Sequence, residues 1–202
     1  MSVVLTREFP LPPLRRKEIL RYMGCKEENE QTAALVDEAL ALCQGVLTPR
    51  VCFAEFEIAK NGDSLDLGFA VTQSRDLAKN LRNCEKIVVF CATVGHEIDR
   101  LIARYSRLSP SMALCLQSVG AEAIEAVCEA FCLYLEGEYG ESKALRPRFS
   151  AGYGDLPLEM QRDIFRALGC EKRIGVTLNE SLLMSPTKSV SAVIGVDRKS
   201  VV

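Results

Sequence analysis

Val51-Cys52-Phe53-Ala54-Glu55-Phe56-Glu57-Ile58, followed by the turn signal Asn61-Gly62-Asp63 and then Ser64-Leu65-Asp66-Leu67, is the stretch on which the fold class turns. Its β-branched and aromatic residues suit a pleated, half-buried surface, and Asn-Gly readily adopts the backbone of a tight turn. The spacing predicts a β-hairpin, with Val51–Ile58 lying against the segment after Gly62. A hairpin demands antiparallel pairing and argues against a strict βαβ alternation.

Upstream, the Pro-rich Phe9-Pro10-Leu11-Pro12-Pro13 precedes two helical patterns. One runs from Arg16 to Tyr22 and stops at Gly24; the other runs from Glu28 to Cys43, with Ala34, Leu35, Ala39, Leu40 and Leu42 at helical steps before Gly45 and Pro49. Downstream, Ser74 is placed to cap a helix reaching Leu81, and Lys86–Val94 is apolar enough for a strand buried on both faces. After Gly95, residues Ile98, Leu101, Ile102 and Tyr105 form a helical stripe, and a long helix follows Ser109-Pro110. Gly137–Leu145 reads as a loop, Pro157–Leu168 as an amphipathic helix stopped by Gly169, and Ile174–Leu178 and Lys188–Val196 as short strands. The expectation is an α+β fold: one domain over residues 1–202, with helices in 1–48 and a mixed or antiparallel sheet flanked by helices in 49–202.

The chain has 202 residues, 48% hydrophobic, with 25 basic against 27 acidic side chains, so it carries no overall basic field to attract nucleic acid or an anionic membrane. The apolar run Met112–Leu135 is interrupted by Glu122, Glu125 and Glu129, each costly at a bilayer centre, and is expected to be a buried helix. Nine cysteines without a C-x-x-C pair, and a start without an export signal, point to a reducing cytoplasm. Cys91, Cys115, Cys128 and Cys132 sit in apolar runs and read as small buried hydrophobes.

A single histidine, His96, excludes multi-histidine metal sites. A Cys91/His96 nucleophile pair is disfavoured by the apolar strand around Cys91, since burial makes a thiol inert. Glu122, Glu125 and Glu129 share one helix face, and this is read as a solvated face rather than a carboxylate site.

The segment Arg146-Pro147-Arg148-Phe149-Ser150-Ala151-Gly152-Tyr153-Gly154-Asp155 crowds two guanidiniums, a hydroxyl, an aromatic ring and a carboxylate around two glycines. Glycine permits close backbone approach or positive φ, Arg148 can grip a carboxylate or phosphate through two parallel bonds, and Tyr153 offers a π face to a cation. An arginine-rich turn held by Asp155 accounts for the same residues equally well. Neither the dinucleotide glycine fingerprint nor a P-loop is present. Further on, Ser185-Pro186-Thr187-Lys188-Ser189 suits either an anion or a turn.

Taken together and in order, Arg148-Phe149-Ser150, Gly152-Tyr153-Gly154-Asp155 and the series Gly175, Leu178, Glu180, Ser181, Met184, Pro186, Ser189, Val190 and Ser191 closely resemble the activation (reactivation) domain of cobalamin-dependent methionine synthase, in its separate-subunit form. Pro157-Leu158 with Gln161, Glu18–Tyr22, and Thr93-Val94-Gly95 with Glu97-Ile98-Asp99 extend the likeness over most of the chain. The resemblance implies a curved α+β domain that binds S-adenosylmethionine and presents it to cobalamin carried by a partner domain or subunit of methionine synthase. There, a flavodoxin-type or other low-potential reductant supplies an electron to cob(II)alamin, and S-adenosylmethionine supplies the methyl that restores methylcobalamin.

The family's arginine falls by spacing on Arg148, although the Arg-Pro dipeptide is at Arg146, and its tyrosine falls on Tyr153. The site implied comprises Arg148, Ser150, Ala151, Gly152, Tyr153, Gly154, Asp155, Lys188 and Ser189. Glu141 is the acidic residue neighbouring the family's acidic position, which is Ser142 here. No stand-alone catalytic residue and no metal is implied. A docking module for a corrinoid methyltransferase without ligand binding is the alternative, and an unrelated enzyme using Cys91 or the helix carboxylates is a third reading.

Overall fold

The computed structural model describes residues 2–140 and 143–198. Its elements are β1 (Leu5–Glu8), α1 (Arg16–Tyr22), α2 (Glu30–Cys43), β2 (Arg50–Glu57), β3 (Ala59–Asn61), β4 (Ser64–Asp66), β5 (Val71–Thr72), α3 (Arg75–Asn80), β6 (Cys84–Thr93), α4 (Glu97–Leu108), α5 (Pro110–Tyr139), β7 (Lys143–Leu145), α6 (Met160–Leu168), α7 (Cys170–Ile174), β8 (Thr177–Leu178), β9 (Met184–Ser185) and β10 (Ser189–Arg198).

A five-stranded antiparallel sheet of order β1-β2-β6-β10-β7 divides the molecule into two cores. The period-two alternation of side chains assigns the residues. Val51 and Phe53 of β2, Val88, Phe90 and Ala92 of β6, and Ala192, Ile194 and Val196 of β10 face α1, α2, α4 and α5. Cys52 and Ala54, then Ile87, Val89 and Cys91, then Val193 face α3, α6, α7 and the three-stranded sheet β3-β4-β5. The long helix α5 starts from Ser109, whose hydroxyl accepts from the Met112 N–H, with Pro110 in its first turn. Its Phe131 is fully buried, with ring centroids 4.9 Å from Phe90 and 5.0 Å from Phe53. An aromatic side chain buried in this way contributes roughly 1.5–3 kcal/mol.

The predicted hairpin forms elsewhere in this segment. The Asn61-Gly62-Asp63 turn joins β3 to β4, with Asn61 opposite Ser64, whereas β2 pairs with β1 and β6. The reason is burial: Val51, Cys52, Phe53 and Ala54 are covered on both faces and need a neighbour on each side. The predicted loop Gly137–Leu145 instead contains the end of α5 and the strand β7.

The face of α5 bearing Glu122, Glu125 and Glu129 is solvated only in part: Glu129 is exposed and Glu125 half-buried, but Glu122 is not solvated. Glu122 is 0% exposed, and its Oε1 accepts from the Arg15 backbone N–H at 3.1 Å and from Nε at 2.8 Å. Arg15 Nη2 also donates to Glu129 at 3.0 Å, so this carboxylate pair fastens the start of α1 to α5. Cys91, Cys115 and Cys128 are buried as expected, whereas Cys132 is only partly so. Among the described residues no helix is long and apolar enough to cross a membrane.

Candidate functional site

The segment after β7 continues along the edge of β10. Arg146 N–H donates to the Gly195 carbonyl at 2.8 Å, and Phe149 and Val193 exchange both backbone bonds at 2.9 Å. An extended chain alternates its side chains, and this separates the expected site residues. Phe149 enters the core beneath the sheet, 7% exposed. Arg148 points the other way, toward α5, where its Nη2 donates to Glu125 Oε2 at 2.9 Å.

The space between this strand and α5 is an open cleft of about 650 Å³ lined by Glu125, Cys132 and Glu136 of α5, by Leu145, Arg146, Pro147, Arg148 and Ser150, and by Val190. Arg146 is committed below it, with Nη2 donating to Asp197 at 2.6 Å and to the Arg82 carbonyl at 3.0 Å. Of the two arginines, Arg148 therefore presents its charge to the cleft. The guanidinium faces two carboxylates and a thiol whose pKa is raised by burial, that of Cys132. Behind it, burial pushes the Cys128 thiol up to about 12.

Beyond Ser150 the chain reverses. Gly152 has φ +84°, and its N–H donates to the Leu156 carbonyl at 2.9 Å. Ala151 is buried in the turn, while Tyr153 is 69% exposed and meets Phe149 edge to face at 5.5 Å. Tyr153 and Gly154 border a second hollow of about 550 Å³ with Phe149, Pro147, Arg146, Asp76, Lys79 and Asn80. At Gly154, φ is +55° and a Cβ would come within 2.5 Å of Asp76 Oδ2, so glycine is required there on two counts.

Asp155 secures the loop from outside. Its carboxylate accepts from Ser74 Oγ and from the backbone N–H groups of Arg75 at 2.8 Å and Asp76 at 3.2 Å, covering the start of α3. The turn is held by Asp155 through α3, not through either arginine. The Ser74 hydrogen bond, with backbone support, holds the Asp155 carboxyl below its ordinary value of 3.8. A depressed folded-state pKa stabilises the fold above the unfolded pKa, and that stability disappears as pH falls through the folded value. Asp155→Asn is thus expected to melt below the parent protein at pH 7, with the gap closing below about pH 4, near the ordinary Asp pKa. A gap constant from pH 7 to pH 3 in thermal melts would contradict this.

Ser189 opens β10, about 13 Å along the strand from Val193 at the usual rise, and Lys188 immediately precedes it. The Lys188 stem crosses Gly120 of α5, where a Cβ would be 3.0 Å from its Cγ and Cε. Burial there pushes the ammonium pKa down. Ser189 Oγ donates to the Pro186 carbonyl at 2.8 Å and lies within hydrogen-bond distance of the Thr93 hydroxyl at 2.9 Å. Neither residue lines the Arg148 cleft. Glu141 lies outside the described residues.

The structure therefore brings together Arg148 and Ser150, shapes their loop with Ala151, Gly152 and Asp155, and places Tyr153 and Gly154 around its tip. Sequence reasoning missed the opposite wall. Glu125, Cys132 and Glu136 recur at seven- and four-residue steps and so share a helix face, a signal present in the sequence, where Glu125 reads as solvated and Cys132 as a buried hydrophobe. Cys91 is fully buried against the lower core and His96 is exposed at the start of α4, so they form no catalytic pair. Among the described residues no cluster of three or more His, Cys, Asp or Glu is arranged to hold a metal.

Residues 48–201 match the family described as vitamin B12 dependent methionine synthase, activation domain. In structure, the chain is similar to the MetH reactivation domain bound to AdoHcy, with a TM-score of 0.73 and 16% identity over 98% of this chain and 79% of that one. No curated protein matches in sequence. The structural correspondence takes in the N-terminal helices that precede the family match, and it bears out the α+β architecture with its antiparallel sheet flanked by helices. Since the family match runs from the start of β2 through β10 and includes both glycine-bearing segments, this chain belongs to the activation-domain family of vitamin B12 dependent methionine synthases.

Proposed function

We propose that this chain, as a single unit, binds S-adenosylmethionine and presents it to the cobalamin of a methionine synthase domain or subunit in the cytoplasm. The carrying observation is the opposed charge across the cleft, Arg148 on one wall and Glu125 with Glu136 on the other. The amino-acid end of the ligand is a zwitterion, and this wall pair matches it: the carboxylate to Arg148 by charge-assisted bonds, the ammonium to Glu125 and Glu136. Ser150, Ala151, Gly152 and Gly154 provide close backbone approach, and the exposed ring of Tyr153 offers its face to the sulfonium. Asp155, Lys188 and Ser189 support the loop and the adjoining strand.

Bound S-adenosylmethionine supplies an activated methyl for reductive methylation of cob(II)alamin, with the electron coming from a flavodoxin-type or other low-potential reductant. The tasks left to this chain are binding, orientation and docking, which need no acid–base residue of its own. The test is calorimetric titration of the full chain with S-adenosylmethionine, using S-adenosylhomocysteine as competitor. Saturable, competed binding is expected. Because Arg148 already has a protein partner in Glu125, the rival reading is a docking module that binds the corrinoid protein alone. Absence of binding with that partner present would favour it.

A further inference from the structure

A further concavity lies at the other edge of the main sheet. The Arg148 cleft adjoins β10 and β7, whereas this one, about 910 Å³, adjoins β1 and β2, with β6 and β10 between them. Its floor is aromatic: Phe56 at the end of β2 and Phe69 after β4 lie with ring centroids 5.1 Å apart, both half-buried. Gly68 makes that juxtaposition possible, because at φ +76° a Cβ would fall 3.0 Å from the Glu57 carbonyl and 3.2 Å from Phe56 Cβ. The apolar Val4 closes one side.

The facing wall carries three cations and one carboxylate: Arg166 from the end of α6, Lys172 and Arg173 from the end of α7, and Asp163 of α6. Arg166 pairs with Asp163 at 2.9 Å, but Lys172 and Arg173 form no ion pair among the described residues. Helix dipoles favour cations in the last turn of each helix, which explains their presence singly. That effect does not bring two helix ends together over two phenyl rings. The volume falls within the roughly 300–1,000 Å³ typical of small-molecule sites.

We propose that this cleft binds a phosphorylated planar ligand of the nucleoside monophosphate class, with its ring against Phe56 and Phe69 and its phosphate on Lys172 and Arg173. A planar base has the π face the floor accepts, and a dianionic phosphate matches two unpaired cations. An acidic peptide would use the cations and leave the floor bare. The inference stands independently of the methyl-donor reading, since it shares no residue with the Arg148 cleft.

The test titrates uridine 5′-monophosphate into the full chain, followed by calorimetry and amide chemical-shift mapping, with uridine and inorganic phosphate as half-ligand controls. The nucleotide is expected to bind at least about 10-fold more tightly than either half, as two subsites acting together require. The double variant Lys172→Ala/Arg173→Ala should weaken it by about 10-fold or more, since both charge-assisted contacts go. Phe69→Ala should weaken it by about 3- to 10-fold through lost ring contact. Arg148→Ala should leave it unchanged. Both basic side chains are exposed, so the double variant is expected to fold, which thermal melting will verify. The proposal is overturned by no binding up to about 5 mM, well below ordinary ligand affinity, by binding no tighter than phosphate alone, by binding that survives removal of the two cations, by loss in Arg148→Ala, or by an acidic peptide binding in the nucleotide's place.

Discussion

Arg148→Ala is expected to lower the affinity for S-adenosylmethionine by about 30- to 150-fold, the equivalent of roughly 2–3 kcal/mol for losing charge-assisted bonds in a partly desolvated site. The direction follows from what remains. Without Arg148 the ligand's carboxylate would face Glu125 and Glu136 with no cation between them, because Arg146 Nη2 is already engaged by Asp197 and the Arg82 carbonyl. Arg148→Lys keeps the charge and loses the planar fork, so about a 10-fold loss is expected. Stability should respond far less. The Arg148–Glu125 pair is partly open to water, 26% and 36% exposed, and pairs of that kind contribute roughly 0–1 kcal/mol. Calorimetry with paired melting curves separates the effects, and an Arg148→Ala protein that binds as tightly as the parent would remove Arg148 from the site.

The elements that sequence made legible are those decided by neighbours along the chain. Ser74 does cap α3, accepting from the Leu77 N–H, and the apolar run around Val88 does form a central strand covered on both faces. Gly169 closes α6 in the left-handed region, as its position after an amphipathic stripe foretold. β1 was missed because all four of its residues are exposed, so hydrophobic alternation carried no signal; it exists because β2 needs an outer partner. The same partnership explains the misplaced hairpin, since which strand β2 joins is settled by burial on both of its faces rather than by the nearest turn.

The site divides along similar lines. The glycines and Arg148 stand together in sequence and were read from it. The acidic wall was not, because Glu125 meets Arg148 only through the packing of α5 over the end of the sheet, 23 residues apart in the chain. The role of Asp155 likewise depends on contact with Ser74, 81 residues away, and no local pattern announces that contact.

Glu122→Ala is expected to destabilise the protein by roughly 1–3 kcal/mol, the range for leaving buried hydrogen-bonding groups unsatisfied, because the partner Arg15 is half exposed and its charge stays solvated, and to lower Tm by roughly 2–12 °C for a domain of this size. Glu122 is fully buried on α5, yet it carries the anchorage of α1: one oxygen accepts both the Arg15 backbone N–H and its Nε, and the other accepts Nη2 at 3.3 Å. Truncation removes three acceptor contacts at once and leaves an unfilled space between α1 and the long helix. Glu122→Gln keeps the shape and one acceptor oxygen while losing the charge, so it should fall between parent and alanine. Glu129→Ala, half-exposed on the same arginine, should change Tm only slightly. If the alanine variants at 122 and 129 melted together, the buried carboxylate would not be the anchor. If they separate as expected, the face of α5 that sequence assigned to water holds the N-terminal helices against the same helix that forms the acidic wall of the candidate site.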